Sequence, residues 1–259
     1  MIHPLACVDP GAVLGPGCSA GPFAVVERGA VLGPGCVLAA HAVVRGSATL
    51  GPAVRVDSFA VVGGDPQDLA FDPAVASRVE VGEGSVLREH ATVHRATAAG
   101  ASTRVGPGCL LMAGAHVAHD CARGERVILA NGCMLGGHVE VGDRAFVSGG
   151  VAVHQFCRIG AGSMTSGNAV VTEDVAPHLI AHGRNEVAGL NLVGLRRRGT
   201  GPGAVAELKR AYREVFAPGA SCAARAEAAL AGGGYASPEA IGFLRFFLGG
   251  RRGRFCCPA

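Results

Sequence analysis

The chain contains no tryptophan and only two tyrosines, and aromatic residues make up 5% of its 259 positions. A core built on large rings is thereby excluded, so the interior has to be assembled from small aliphatic side chains. Charge is scarce as well, at 17% of residues with a net charge of +3, which leaves no broad basic surface for nucleic acid. No apolar run approaches the about 18 residues that mark a membrane span, so no transmembrane segment is expected. Met1, Ile2, His3 and Pro4 form neither a basic region nor the start of an apolar stretch. No secretory signal is read there, and the expected compartment is the cytoplasm. There are ten cysteines but no Cys-x-x-Cys pair, and structural zinc usually needs closely spaced ligands.

What the chain does have is glycine, 41 of them, and a repeat. From Leu14 it reads in hexads as LGPGCS, AGPFAV, VERGAV, LGPGCV, and the same frame resumes at Val81 and again at Val105. A period of six matches neither a 3.6-residue helix nor a simple alternating strand. It matches a hexapeptide parallel β-helix, in which three hexads form one triangular coil and the coils stack. The expected solenoid covers residues 1–177. Gly63 to Arg78 and Ala99 to Arg104 break the frame and read as expelled loops.

The repeat also accounts for six of the cysteines. Cys18, Cys36, Cys109, Cys121, Cys133 and Cys157 occupy the fifth hexad position, which elsewhere holds Ala24, Ala30, Ala42 or Ser163. A small side chain is required inside a narrow corner, and reduced cysteine packs as a small hydrophobe. Cys256 and Cys257 lie in the terminal tail, where adventitious oxidation is the expectation.

Residues 178–259 form the second expected unit. Residues 178–203 read as an irregular connection with a short helix. Ala204 to Phe216 and Ser221 to Ala231 read as helices, the second ended by Gly232, Gly233 and Gly234. Ser237 and Pro238 have the character of an N-cap and first-turn proline for a third helix, ending near Gly249. Such a helical unit caps the open end of a solenoid or offers a docking face.

The chemistry lies where the repeat is silent. His116, His119, His138 and His154 cluster within a short span, whereas His3, His41 and His178 read as surface residues. Counting one coil of 18 residues, His119, Gly137 and Gln155 fall in one column, with neighbours about 4.8 Å apart. Asp120 and His138 fall in the adjacent column. A histidine beside a carboxylate can take a hydroxyl proton near neutral pH. A glycine N–H one coil away can stabilise an oxyanion. The spacing His116-x-x-His119-Asp120 also admits zinc, and the residues alone leave both readings open. A flat prism wall cannot enclose a substrate, so a threefold homotrimer with sites between chains is predicted. Two formal motifs carry no weight. Gly17-Cys18-Ser19-Ala20-Gly21 fits a nucleophile elbow but sits inside continuous hexads, and the repeated G-x-G pairs are corners with no following helix.

Three segments carry a family resemblance: Ala115-His116-Val117-Ala118-His119-Asp120-Cys121, Ile128-Leu129-Ala130-Asn131, and Ala152-Val153-His154-Gln155-Phe156-Cys157. With Asp65 to Leu69, Thr92 to Arg95 and Gly194 to Gly199, the chain resembles the UDP-N-acetylglucosamine O-acyltransferases of lipid A synthesis. The resemblance implies a left-handed β-helix, against the usual right-handed crossover, assembled as a trimer. It implies direct transfer of an (R)-3-hydroxyacyl group from acyl carrier protein to the sugar 3-hydroxyl, with no cofactor beyond the carrier's phosphopantetheine and no metal. His119 is then the general base, Asp120 its orienting partner and Gly137 the oxyanion donor. Gln67 and Asp68 contact the sugar, and His94, His116, His138, His154 and Gln155 line the cleft. Asn191 and Arg198 serve the nucleotide end, and Arg197 the carrier. Gly167 matches the position that sets acyl length, and a glycine there favours a longer chain.

The sequence departs from the family pattern at Ala70, where lysine is usual, at Val193, where glutamate is common, and at Ala96, where glycine follows His-Arg. A lost cation weakens substrate affinity by about 1–3 kcal/mol. A 3-amino sugar stays open as the acceptor. Rival readings are the N-acyltransferase acting later in the pathway, a γ-carbonic-anhydrase-like zinc protein and a non-catalytic trimeric scaffold. The first of these carries an additional N-terminal domain, which is not expected here because the hexads begin near residue 2.

Overall fold

The computed structural model describes residues 1–249 and 253–258. From Cys7 to Val171 the chain is a succession of short strands, most of them two residues long, separated by tight turns. Successive strands do not pair with each other. Each pairs in parallel with the strand three elements later, so the strands sort into three sheets of nine, eight and ten among the described residues. The first sheet runs from β1 (Cys7–Val8) through β16 (His116–Val117), β19 (Met134–Leu135) and β22 (Ala152–Val153). Cys7 lies opposite Val25 and His116 opposite Met134, the one-coil offset set by three hexads. The result is the left-handed parallel β-helix that the resemblance implies.

Alternation within each strand decides what is buried. Val26, Val44, Val62, Val93, Val117, Leu135 and Val153 face inward from the first sheet and form one continuous column. Cys36, Cys109, Cys121, Cys133 and Cys157 are fully buried as free thiols beside such columns, and Cys18 is nearly so, consistent with a packing role. At one outer corner Phe23, His41, Phe59 and His90 stack with ring centroids 5.0, 4.8 and 5.1 Å apart. His41 is thus exposed, as expected, but clasped between two phenylalanine rings.

Two expected boundaries shift. Ser102–Arg104, assigned to the second expelled loop, belong to β14 (Ser102–Val105), which pairs with β11 (Arg78–Val81). Thr103 and Val105 alternate inward, and that places the segment in the wall. The stretch after Pro177 is not irregular either. β26 (Leu179–His182) extends the third sheet beyond β24 (Met164–Thr165), and β27 (Glu186–Leu190) folds back on it antiparallel. Leu179 and Ala181 point inward, and Gly183 and Asn185 supply the left-handed turn conformations. A short helix, α1 (Leu192–Arg197), follows.

The helical unit closes this end. α2 (Pro202–Val215) buries Leu208, Ala211 and Val215. α3 (Cys222–Gly232) starts at Ser221, whose hydroxyl accepts from the Ala224 N–H, and α4 (Pro238–Phe246) starts at Ser237 with proline in its first turn. Phe216, Phe243 and Phe247 meet edge to face, and Phe255 from the tail packs 4.8 Å from Phe247. Arg158 joins the two units. Its guanidinium pairs with buried Asp174 at 2.8 Å, donates to the Phe246 carbonyl at 3.0 Å and lies over the Phe246 ring.

One inward position breaks the aliphatic rule. Arg123 of β17 (Ala122–Arg123) lies opposite Val141 in the inner column that also holds Val105 and Ile159. All three of its guanidinium nitrogens are buried without a hydrogen-bond partner, amid the Cys109, Cys121 and Cys133 thiols. Burial pulls its pKa below the ordinary arginine value. An uncompensated buried charge costs on the order of 3–5 kcal/mol. Arg123→Ile is therefore expected to raise the urea midpoint and the Tm, and an unchanged or lower midpoint would contradict this account.

Candidate active site

The site begins at the corner leading into the second sheet. Asp120 and His138 both adopt left-handed backbone conformations there, with φ of 57° and 59°, and stack in successive coils through the His138 N–H to His119 carbonyl bond of 3.0 Å. The His119 Nδ1–H donates to Asp120 Oδ2 at 2.9 Å, and both side chains are largely shielded from solvent. A carboxylate only accepts, so this bond puts the proton on Nδ1 and leaves Nε2 as the acceptor. Asp120 is held in turn by the Thr97 hydroxyl at 2.7 Å and the Thr97 N–H at 3.2 Å, while its own N–H donates to Thr103 Oγ1. Burial alone raises the Asp120 pKa, but the bonds from Thr97 and His119 outweigh it and hold the carboxyl below its usual range.

Gly137 stands against the free edge of His119. A Cβ on Gly137 would fall 2.6 Å from His119 Nε2, so only glycine leaves that nitrogen open. Its carbonyl accepts from the Phe156 N–H, whereas its own N–H donates to no group among the described residues. An acceptor nitrogen and an unspent N–H therefore share one opening. That opening is a cleft of about 310 Å³ lined by Gln67, His94, His116, His119, Gly136 and Gly137, with Met134 and Val153 on its apolar side.

The other expected site residues separate into groups. His138 lies behind the cleft, its Nε2 3.7 Å from Asp120 Oδ2 and its ring stacked 4.5 Å from Phe156. His154 and Gln155 sit exposed one coil on, with His154 Nδ1 3.1 Å from the Gln155 carbonyl. Asp68 is exposed and bonds the Ala70 N–H at 2.9 Å, closing a turn in the loop. Asn191 caps α1 through the Gly194 N–H and also donates to the Gly162 carbonyl. Arg198 reaches His178 Nδ1 at 3.3 Å. His178 is thus no solvated surface residue, because burial and then the Arg198 charge push its pKa down to about 4. Arg197 is exposed at the end of α1. Gly167 is exposed, and a Cβ there would meet only the Gly149 carbonyl, at 3.6 Å. His178 and Arg198 mark the corner leading into the third sheet, so within one chain the residues expected at the nucleotide end and the His119–Asp120 pair occupy different corners.

Four residues that position the site were not anticipated. Thr97 and Thr103 hold Asp120, and the Thr92 hydroxyl meets His116 Nδ1 at 2.7 Å. Arg95 ties down the loop that brings Gln67 over the cleft, through Asp65 at 2.7 Å and the Val75 and Pro73 carbonyls at 2.5 and 2.8 Å. A polar residue at a position the repeat reserves for the interior, as with Thr103, is the signal that could have found it.

His119, Asp120 and His138 also form the one group among the described residues whose donor atoms lie close enough together for a metal ion, within 4.8 Å. Ligands on one tetrahedral zinc stand about 3.3 Å apart, wider than the 2.9 Å between His119 and Asp120. That spacing is a hydrogen bond, and Asp120 Oδ2 accepts from the Thr97 hydroxyl as well. The trio as arranged suits proton transfer.

The cleft histidines set an acid limit. Burial, reinforced by the neighbouring His94 and Arg123 charges, lowers the His116 pKa from 6.5 to about 4, and burial lowers His94 as well. A histidine with a depressed folded-state pKa stabilises the fold fully above its unfolded pKa. That contribution is lost as pH falls from 6.5 towards about 4. Tm measured against pH is expected to drop over this window, and His116→Gln to flatten the drop. An identical acid limb in the variant would contradict the assignment.

Comparison with known proteins gives this geometry its relatives. Residues 174–255 match the family model described as UDP N-acetylglucosamine O-acyltransferase, domain 2, and residues 1–46 match the bacterial transferase hexapeptide model. An acyl-[acyl-carrier-protein]–UDP-N-acetylglucosamine O-acyltransferase from Alkalilimnicola ehrlichii is 49% identical over 84% of this chain and 85% of its own. Its namesake from Anaeromyxobacter dehalogenans is 45% identical over 97% and 98%. The solved UDP-N-acetylglucosamine acyltransferase of Campylobacter jejuni superposes with a TM-score of 0.93 at 34% identity, covering all of both chains. On these likenesses and the shared fold, the chain belongs to the UDP-N-acetylglucosamine O-acyltransferase family.

Proposed function

We propose that this enzyme transfers an (R)-3-hydroxyacyl chain from acyl carrier protein to the 3-hydroxyl of UDP-N-acetylglucosamine, the first step of lipid A biosynthesis, with His119 as general base. The observation that carries the mechanism is the pairing of His119 Nδ1 with Asp120 while Nε2 faces the Gly137 opening. The sugar hydroxyl loses its proton to Nε2 as its oxygen attacks the thioester carbonyl. The Gly137 N–H donates to the oxyanion. Collapse expels the phosphopantetheine thiolate, which takes the proton back from the imidazolium, so no acyl-enzyme forms. Ionised Asp120 stabilises the imidazolium between these steps.

A single chain leaves its expected nucleotide residues, Asn191 and Arg198, at a different corner from His119. A second copy of the chain bringing one corner against another completes the site, and closed threefold symmetry repeats it three times. Arg197 stands exposed for the carrier, and a groove on the helical unit lined by Arg210, Arg213 and Arg225 supports reading that unit as a docking face. Open space at Gly167 favours a longer acyl chain. The reaction is assigned to the cytoplasm.

Mass spectrometry of the product from UDP-N-acetylglucosamine and a panel of 3-hydroxyacyl carrier thioesters is the direct test. Transfer to the sugar with a preference for long chains is expected, and His119→Ala lowers kcat by roughly 10²–10⁴-fold while sedimentation still reports a trimer. Absence of transfer by the wild type, or full activity in His119→Ala, would overturn the mechanism. A short-chain preference would overturn the role of Gly167, and a monomer the shared site.

A further inference from the structure

Two thiols that the catalytic reading does not use face each other at the far end of the molecule. Cys222 is the first residue of α3, and its Sγ lies 4.0 Å from that of Cys257. Neither is carried on a loose segment. Cys222 is fixed by the Ser221 cap. Cys257 lies in a tail that runs as a short extra strand along the solenoid, its carbonyl accepting from the Val187 N–H at 3.0 Å. Next to it the Cys256 N–H donates to the Asp174 carbonyl, and the Asp174 N–H to that of Arg254. Cys256 itself is buried and turned towards the Glu173 carbonyl, so it does not compete for Cys222.

The geometry points to a reversible disulfide between Cys222 and Cys257 that staples the helical unit to the β26–β27 hairpin under oxidising conditions. The chemistry is exchange with a low-molecular-weight disulfide such as oxidised glutathione. The Cys222 thiolate attacks one sulfur of the small disulfide, forming a mixed disulfide and releasing one small thiolate. Cys257 gives up its proton and attacks the Cys222 sulfur, and the second small thiolate leaves. Two protein thiols are oxidised and one small disulfide is reduced to two thiols. The start of a helix is where a thiolate is favoured, and the hydrogen bond from Cys257 brings the Cys222 pKa down to about 7. Cys222 is half-buried and Cys257 exposed, so the reagent has access.

The link would close a loop containing all of α3 and α4. It would also tie down β27, which leads directly into Asn191. The test is to treat the reduced full-length enzyme with oxidised glutathione, then apply intact-mass analysis and peptide mapping. The expected result is loss of two hydrogens, a Cys222–Cys257 cross-linked peptide, and a Tm that rises and returns with dithiothreitol. Cys222→Ser and Cys257→Ser are each expected to abolish the cross-link, and Cys256→Ser to leave it. A glutathione retained on Cys222, a cross-link through Cys256, or an unchanged mass would overturn the proposal. Mapping of the wild type decides the matter even where a variant fails to fold.

Discussion

Every strand inside the solenoid, those at its two ends apart, is held by main-chain hydrogen bonds to strands one coil before and after it, and these bonds tolerate no slippage. A shift of one residue would turn the inward column of valines and leucines to solvent. Residues beyond three hexads per coil are therefore expelled as loops, as the segment after Gly64 shows: Val61 still pairs with Thr92 across it. The fold is in this sense a counting device. It brings the neighbours His119 and Asp120 against Gly137 and His138 of the next coil.

The site uses that regularity and departs from it at a few points. Thr103 occupies a buried inward position and spends its hydroxyl on the Asp120 N–H. Thr97, just ahead of the shorter expelled segment, supplies the bonds that keep Asp120 ionised against burial. Arg123 departs in the other direction, placing a guanidinium in the aliphatic column without an acceptor. Thr97 and Thr103 have their hydroxyls satisfied at the cleft, whereas the Arg123 guanidinium lies unpaired in the core and weighs on stability.

Much of this was legible in the sequence because a hexad repeat assigns every side chain a direction. The solenoid, the packing role of the cysteines in the fifth hexad position and the His119–Gly137 column followed from counting. The three helices of the terminal unit followed from caps such as Ser237 with Pro238. What counting could not reach lay across insertions. Thr97 meets Asp120 across the shorter insertion, where the count of one coil is broken, and β26 and β27 continue a sheet after the hexad pattern has ended. Arg198 against His178 is a contact between the cap and the prism, with no periodicity to announce it.

The strap formed by Arg95 has a bearing on how such a chain drifts over generations. Two of its anchor points on the loop are the carbonyls of Pro73 and Val75, which every amino acid possesses. The loop's hold on the prism therefore depends little on which side chains it carries. Positions such as Ala70 can exchange one residue for another and alter the face the loop presents without changing where the loop sits. Grip and outer surface are separately heritable in this segment, so selection can revise one while the other stays in place.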